Sequence, residues 1–499
     1  MRLTEVERKY EVPVDFGLPD LGDVDGSAGL TVDDPVTHRL TATYYDTERL
    51  TLARHGVTLR YRTGGTDAGW HLKRPARAGA RTEIRAPRPS SGRNRVPDSF
   101  ADELGALRRG QALEPVVRMT TRRIERTVRD DAGTAVAMVA DDRVTVRSPD
   151  GQLPPASWRE IEVELADGTE SVLDVFDQRL RAAGAVPAAA SSKLARALGA
   201  ALPPRPKSGR AWRLVADYAR AQRDALVALD PAVRRDEPEA VHDFRVAARR
   251  LRSTLRTFRP LLPVDRSEPL REELRWLAGE LGEVRDLEVI TERLTDAVAA
   301  EPPELVVGPV AERITQRFTG RRDQARAAAL ASLDSDRYHR LLDDLDELLD
   351  GGPQSRPVTG ELRGLVRKAV RRTERQLAGA VNGSSGDASS PDEVALHEAR
   401  KSAKRARYAV EVLAPADGKR AGQLVDRLKD LQDVLGAHQD TVVAREVLQA
   451  EAAEAEAAGD STFTFGLLHA RQHEAAAGAV ARLPAARRKV RTAVKRWRD

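Results

Sequence analysis

The first twelve residues, Met1-Arg-Leu-Thr-Glu-Val-Glu-Arg-Lys-Tyr-Glu-Val12, constrain this chain more than any other stretch. Successive side chains of a β-strand point to opposite faces. An extended reading therefore puts Glu5, Glu7, Lys9 and Glu11 on one side and Val6, Arg8, Tyr10 and Val12 on the other. One such face alone is what the solvated outside of a sheet looks like. Later segments repeat it, with Arg60 and Arg62 alternating in Leu-Arg-Tyr-Arg, and Glu160, Glu162 and Glu164 in Glu-Ile-Glu-Val-Glu-Leu. Three or more strands with charged faces argue for a polar barrel interior.

Residues 1–165 read mainly as strands, with short alternating runs at Thr58–Thr63, Trp70–Lys73, Arg81–Arg85, Val116–Val128 and Ala135–Val146. Helices are expected at Ser171–Ala183 and Ser191–Leu198. The proline-rich Leu202–Gly209 reads as a linker. From Ala211 onward the texture is Ala, Leu, Arg and Glu at helical spacing, interrupted by the Gly/Ser/Asp-rich stretch Asn382–Asp392.

An internal repeat divides this half. Val241-His-Asp-Phe-Arg-Val-Ala-Ala-Arg-Arg-Leu-Arg252 recurs as Leu396-His-Glu-Ala-Arg-Lys-Ser-Ala-Lys-Arg-Ala-Arg407. Leu-Gly-x-x-x-Asp at Leu281–Asp286 recurs at Leu435–Asp440. The expected architecture is α+β multidomain: an antiparallel β-barrel over residues 1–200, a linker at 201–210, and an all-α domain of tandem helical bundles over 211–499, its two repeats at about 211–380 and 393–499.

The 499 residues include 82 basic and 77 acidic ones, so where the charges lie matters more than the net +5. No cysteine is present, which excludes disulfides, thiolate nucleophiles and cysteine metal ligands and fits a reducing compartment. The start is charged from Arg2 onward, and no run of 18 apolar residues occurs. A cytoplasmic protein with no membrane partner is expected. Aromatic residues are 4% of the chain, too few for a base-stacking platform, so nucleic acid is not the expected ligand.

Carboxylates and cations on one inward face suit a phosphate chain with a divalent ion. Hard cations such as Mg²⁺ take oxygen ligands, usually one or two carboxylates with phosphate oxygens and waters. Glu5 and Glu7, with Glu160, Glu162 and Glu164 on a distant strand, are candidates for that site. Lys9, Arg60, Arg62, Lys73, Arg118, Arg122 and Lys193 are candidates to neutralise phosphate oxygens, arginine by forks and lysine as point charges. Mixed signs would otherwise be costly to bury.

Glu5-x-Glu7-x-Lys9 resembles the hallmark of the CYTH family of triphosphate tunnel metalloenzymes. Further landmarks of that family follow in order: Tyr44-Tyr-Asp-Thr47, Leu59-Arg-Tyr-Arg62, Leu72-Lys-Arg-Pro75, Asp142 in Ala-Asp-Asp-Arg-Val, the Glu160–Glu164 strand, and Ser192-Lys193. The resemblance covers roughly residues 1–200. It implies a tunnel that binds triphosphate, catalysis by Glu5, Glu7 and Lys9, and Mg²⁺ or Mn²⁺ held by Glu5, Glu7, Glu160, Glu162, Glu164 and Asp142. Glu83 is implied more loosely. The adjacent Asp141 and Asp142 leave open which one faces inward.

On the first helix of the repeat, His242, Arg245, Arg249 and Arg252 fall within an arc of about 80°. The second copy keeps the same stripe as His397, Arg400, Lys404 and Arg407, with Lys401 beside it. These helices and the two Leu-Gly-x-x-x-Asp segments resemble the CHAD domain, the conserved-histidine α-helical domain, over about residues 208–499. That resemblance implies a basic groove binding inorganic polyphosphate and association with polyphosphate granules. The expected function is metal-dependent hydrolysis of inorganic triphosphate or polyphosphate, with the helical half binding the polymer. A non-catalytic polyphosphate-binding protein is one alternative. A nucleotide-acting CYTH enzyme, either an adenylate cyclase or a thiamine triphosphatase, is the other.

Overall fold

The computed structural model describes residues 2–22, 30–76, 80–87, 95–149, 151, 153–202, 209–353, 358–382 and 392–498. They fall into two compact units, Met1–Pro204 and Arg205–Asp499. The linker expected at Leu202–Gly209 and the loop expected at Asn382–Asp392 lie for the most part outside the described residues.

The first unit is an antiparallel sheet of eleven strands. They are β1 (Arg2–Glu5), β2 (Glu7–Val12), β3 (Thr31–Val32), β4 (Val36–Asp46), β5 (Thr58–Thr63), β6 (Gly69–Pro75), β7 (Arg81–Ala86), β8 (Glu114–Arg129), β9 (Ala135–Arg147), β10 (Ala156–Leu165) and β11 (Val186–Pro187). The sheet order is β1-β7-β6-β5-β4-β8-β9-β10-β2-β11, with β3 against β8. β1 and β2 are one run of chain broken only at Val6. β1 pairs with β7 while β2 pairs with β10, so the N-terminal run joins the two ends of the sheet and curls it into a tunnel.

Four helices accompany the sheet: α1 (Thr51–Arg54), α2 (Ala101–Arg108), α3 (Glu170–Ala182) and α4 (Lys193–Leu198). The apolar phase of the alternation lies outside the tunnel. Tyr10, Val139, Ile161 and Val163 are buried beneath Leu173, Phe176 and Leu180 of α3. Each such fully buried side chain contributes roughly 1.5–3 kcal/mol. Inside, charge lines only part of the length. Toward one end Val117, Met119, Val144 and Val146 meet Leu194 and Leu198 of α4 in a second apolar cluster. The helix expected from Ser191 begins at Lys193, because Ser192 is extended and its hydroxyl caps the Ala195 amide at 3.0 Å.

The second unit is helical. It comprises α5 (Arg210–Arg234), α6 (Ala240–Thr257), α7 (Val264–Glu280), α8 (Gly282–Ala299), α9 (Val310–Leu333), α10 (Asp336–Asp350), α11 (Thr359–Asn382), α12 (Glu393–Ala457) and α13 (Phe463–Arg498). α6 shows why these segments are helices: Val241, Phe244, Ala248, Leu251 and Leu255 recur at steps of three and four and are all buried. α12 bends at Gly418, whose φ of 59° and ψ of −140° are non-helical, three residues after Pro415.

Candidate functional site

Strand alternation aims charged side chains into a tunnel of about 240 Å³. β2 and β10 face each other in register, with Lys9 opposite Glu162 and Glu7 opposite Glu164. Lys9 Nζ lies 3.1 Å from Glu7 and 2.9 Å from Glu162. On the other wall Lys73 donates to Glu5 at 2.5 Å and lies 3.7 Å from Glu83. His71 holds Glu83 through Nδ1 at 2.8 Å, and Arg85 also pairs with Glu83.

A second set overlaps this lining and extends beneath it through Asp142 and Glu160. Ligand oxygens of Asp142, Glu160 and Glu162 fall within 4.8 Å of one another, the spacing of a metal group. Lys193 Nζ already sits among them, at 3.0 Å, 2.6 Å and 2.7 Å. Arg123 reaches the same set, donating to Asp142 at 2.7 Å and 2.8 Å and to Glu162 at 2.7 Å. Burial alone would push the Asp142 and Glu162 carboxyls up, but Lys193 and Arg123, with Lys9 beside Glu162, outweigh it and hold both down.

The upper carboxylates are under-compensated. Burial, opposed only in part by Lys73 and reinforced by Glu83 and Glu164, pushes Glu5 up to about 7. Glu164 is raised by burial and by Glu7 and Glu162. One buried oxygen of Glu7 meets only the Lys9 ammonium, at 3.1 Å and outside hydrogen-bond geometry. Carboxylate oxygens are the hard donors a divalent cation takes, although the three carboxylates whose oxygens converge within 4.8 Å among the described residues are those of Asp142, Glu160 and Glu162. Opposite charge is met only in part: the Nε groups of Arg60 and Arg62 are buried and donate to nothing, while Arg60 reaches the Tyr44 hydroxyl at 3.4 Å and Arg62 pairs with Asp67 through a terminal nitrogen.

Among the tunnel residues singled out in the sequence, Glu5, Glu7, Lys9, Arg60, Arg62, Lys73, Glu162, Glu164 and Lys193 line the cavity. Asp142 faces inward beneath them, whereas Asp141 faces out and pairs with Arg159 at 2.8 Å. Arg118 and Arg122 do not belong to the lining. Both are exposed on the outer face of β8, and Arg123 takes the inward place. The inward phase of β8 runs Val117, Met119, Thr121, Arg123, beginning apolar and turning charged. The missed signal was that apolar phase, continued along the strand.

In the helical unit α6, α7 and α12 enclose a groove of about 460 Å³. Arg249 and Arg252 line it from α6, and His397, Arg400, Lys401 and Lys404 from α12. Arg256, Arg271, Arg275 and Arg405 join them unforeseen. Burial first, then Arg400 and Arg249, pushes Lys404 down to about 7, and burial with neighbouring guanidiniums lowers Arg252, Arg400 and Arg405 as well. The buried hydroxyl of Tyr408 accepts from Arg249 at 3.1 Å.

His242, Arg245 and Arg407 are not part of this lining. Arg245 turns to the Gly282 carbonyl at 3.0 Å and to Asp286 at 3.1 Å, and its counterpart Arg400 lies 4.0 Å from Asp440. A Cβ at Gly282 or Gly436 would approach the respective guanidinium to 3.5 Å. Leu-Gly-x-x-x-Asp is thus the seat of a stripe arginine in both repeats. Arg407 pairs with Glu411 and stacks on Tyr408.

A charged tunnel of this topology defines the triphosphate tunnel class of proteins, here with an added helical unit. Residues 3–198 match the CYTH domain and residues 217–449 the CHAD domain. An uncharacterized protein of Mycobacterium tuberculosis, from two strains, is 38% identical across all of this chain and 98% of its own length. The chain belongs to the proteins in which a CYTH domain is followed by a CHAD domain. Among solved structures, PptA from Streptomyces chartreusis is 26% identical over 57% of this chain and 100% of its own, with a TM-score of 0.46. The CHAD domain from the plant Ricinus communis is 24% identical over 56% of this chain and 96% of its own, with a TM-score of 0.40. No helix among the described residues is long and apolar enough to cross a membrane.

Proposed function

We propose that residues 1–200 hydrolyse inorganic triphosphate with a divalent cation, and that residues 211–499, as two repeats, bind inorganic polyphosphate and supply it to that activity. The observation that carries the first part is the pairing of unmet needs in one tunnel. Glu5 and Glu164 keep raised pKa values, Glu5 despite Lys73, and Glu7 meets only Lys9, while the buried Nε groups of Arg60 and Arg62 have no acceptor. A phosphate chain with its metal ion satisfies both.

On this reading Glu5, Glu7 and Glu164 hold Mg²⁺ or Mn²⁺. The triad of Asp142, Glu160 and Glu162 is less available because Lys193 already compensates it. When bound, the ion supplies Lewis-acid neutralisation of phosphate oxygens and acidifies water. Arg60, Arg62 and Lys73 clamp the phosphate chain, Lys9 and Lys193 hold positive charge at its flank, and Glu83, fixed by His71, orients Lys73 and Arg85. Phosphoryl transfer asks mainly for this positioning and charge stabilisation, so no side-chain nucleophile is needed.

The second part rests on a groove in which half-buried and exposed cations outnumber acids, a surface that favours a polyanion. Phosphate release from tripolyphosphate, ATP and thiamine triphosphate, with Mg²⁺ or Mn²⁺ and with chelator, tests the first part. Metal-dependent release fastest from tripolyphosphate is the expected result. Release fastest from a nucleotide would overturn the inorganic substrate, and no release from any would leave a binding protein.

A further inference from the structure

We propose that the helical unit carries a second polyanion track, between α11 and α13, which takes the continuation of a long inorganic polyphosphate chain held in the central groove. The inference rests on the polyphosphate reading of that groove. α11 presents Lys368, Arg371 and Arg375 at steps of three and four, so they form one row along the helix. α13 presents Arg488, Arg491 and Lys495 in the same way. The two rows face a common groove of about 1640 Å³.

A basic row on one helix is ordinarily a solvated face. Two rows converging on one groove with almost no acid between them are different. All six side chains are exposed, and none has an ion-pair partner among the described residues. Glu374, the acidic residue of the lining, is engaged by Arg498 at 3.8 Å. Like charges gathered in this way repel one another, and an anion bound between the rows relieves that repulsion.

The groove also says what the anion is. Among the described residues no aromatic side chain lines it: Trp497, at its end, is buried with its Nε1 donating to Asp417 at 2.9 Å. Bases would therefore find no stacking surface, and no Asn or Gln of the lining could read their edges. None of the exposed large hydrophobic side chains falls within the lining, so nothing there would anchor in a bilayer. What remains are arginine forks and lysine point charges, which take phosphate or carboxylate oxygens, and the neighbouring central groove is what selects the phosphate chain.

Continuity joins this track to the central groove. Arg372 follows Arg371 on α11, and after burial it is among the charges that hold the Arg256 and Arg405 guanidiniums of the central groove below their usual range. α11 thus stands between the two grooves with a basic side chain toward each. A chain long enough to span α11 engages both, the second contact being made at high effective concentration. Affinity should then keep rising with chain length after the central groove is filled.

The test uses the full chain carrying Arg371→Glu with Arg491→Glu, and separately Arg249→Ala with Lys404→Ala. Each is titrated with tripolyphosphate, long-chain polyphosphate, duplex DNA and vesicles of anionic phospholipid over a range of salt. The outer pair is expected to lose roughly tenfold in long-chain affinity, with a shallower salt slope. It should leave tripolyphosphate binding, phosphate release and the thermal midpoint unchanged. The milder Arg371→Gln with Arg491→Gln should lose less. Unchanged long-chain affinity in the outer pair would overturn the second track and leave the central groove standing. Loss of DNA or vesicle binding at least as large as that of polyphosphate would show the track to serve another partner. If the central pair weakened no polyphosphate binding, the reading beneath both proposals would fall.

Discussion

Two lysines set the two units of this molecule apart. Lys193 in the tunnel touches three carboxylates, and although burial opposes its charge, Glu162, Asp142 and Glu160 raise its pKa far above the usual value. Lys404 in the helical groove is comparably enclosed but has Arg400 and Arg249 for neighbours, and its pKa falls to about 7. Burial costs both the same kind of energy. The difference lies in whether the protein itself supplies the opposite charge. The tunnel largely does, and so holds a preorganised mixture of signs, which on the proposed reading a metal ion and a phosphate chain complete. The groove does not, and on the same reading leaves the negative charge to its ligand.

That contrast can be broken most severely at Glu5 and Glu7. Glu5→Gln with Glu7→Gln should lower metal-dependent phosphate release by on the order of a thousandfold, measured with tripolyphosphate and Mg²⁺, while long-chain polyphosphate binding by the helical unit stays as it was. Retained release would detach these glutamates from the reaction.

Next in size is Lys193→Met, which removes the internal counter-charge from three buried carboxylates. Leaving them unpaired should cost about 3–5 kcal/mol of stability, read from urea unfolding. The pH dependence gives the sign. Asp142 and Glu162 have depressed pKa values in the folded protein, so they stabilise it above their unfolded values near 4, and that contribution fades as pH falls through the folded values. Without Lys193 the deficit should be greatest at neutral pH and shrink in acid. A deficit independent of pH would mean lost packing rather than lost charge.

Lys404 sharpens the other side of the comparison. A bound phosphate chain supplies the missing negative charge and raises the depressed pKa, so binding takes up a proton. Polyphosphate affinity should therefore fall as pH rises above about 7, by up to about tenfold per pH unit, and Lys404→Gln should flatten the profile. The smallest effect is expected at Arg118 and Arg122. Changing both to Ala should alter phosphate release by less than roughly twofold, as for surface positions generally, whereas Arg123→Ala should cost far more because Arg123 holds Asp142 and Glu162.

The tunnel and the groove were not equally legible. Period-two alternation placed Glu7, Lys9, Arg60, Arg62, Glu162 and Glu164 on one lining because in β2, β5 and β10 one phase is charged and the other largely apolar, and Glu5 follows by continuing the phase of β2 back across Val6. In β8 basic residues occupy both phases, at Arg118 and Arg122 and at Arg123, so alternation could not choose between them. Helical periodicity found both stripes in the repeats. It could not tell that Arg245 would turn to Asp286 and Arg407 to Glu411, nor that α7 would add Arg271 and Arg275 to the groove.

What the sequence determined by itself was whatever depends on neighbours along the chain: the strand and helix periods, the repeat, and the family these motifs belong to. Tertiary structure alone decided which of two adjacent residues faces inward, as with Asp142 over Asp141 and Arg123 over Arg122. It also decided that Lys193, far from the other charges in sequence, would neutralise the acidic triad. The physical reason is that sheet register and helix docking are settled by burying apolar surface across the whole unit. The charged side chains then meet whichever partners that packing brings to them.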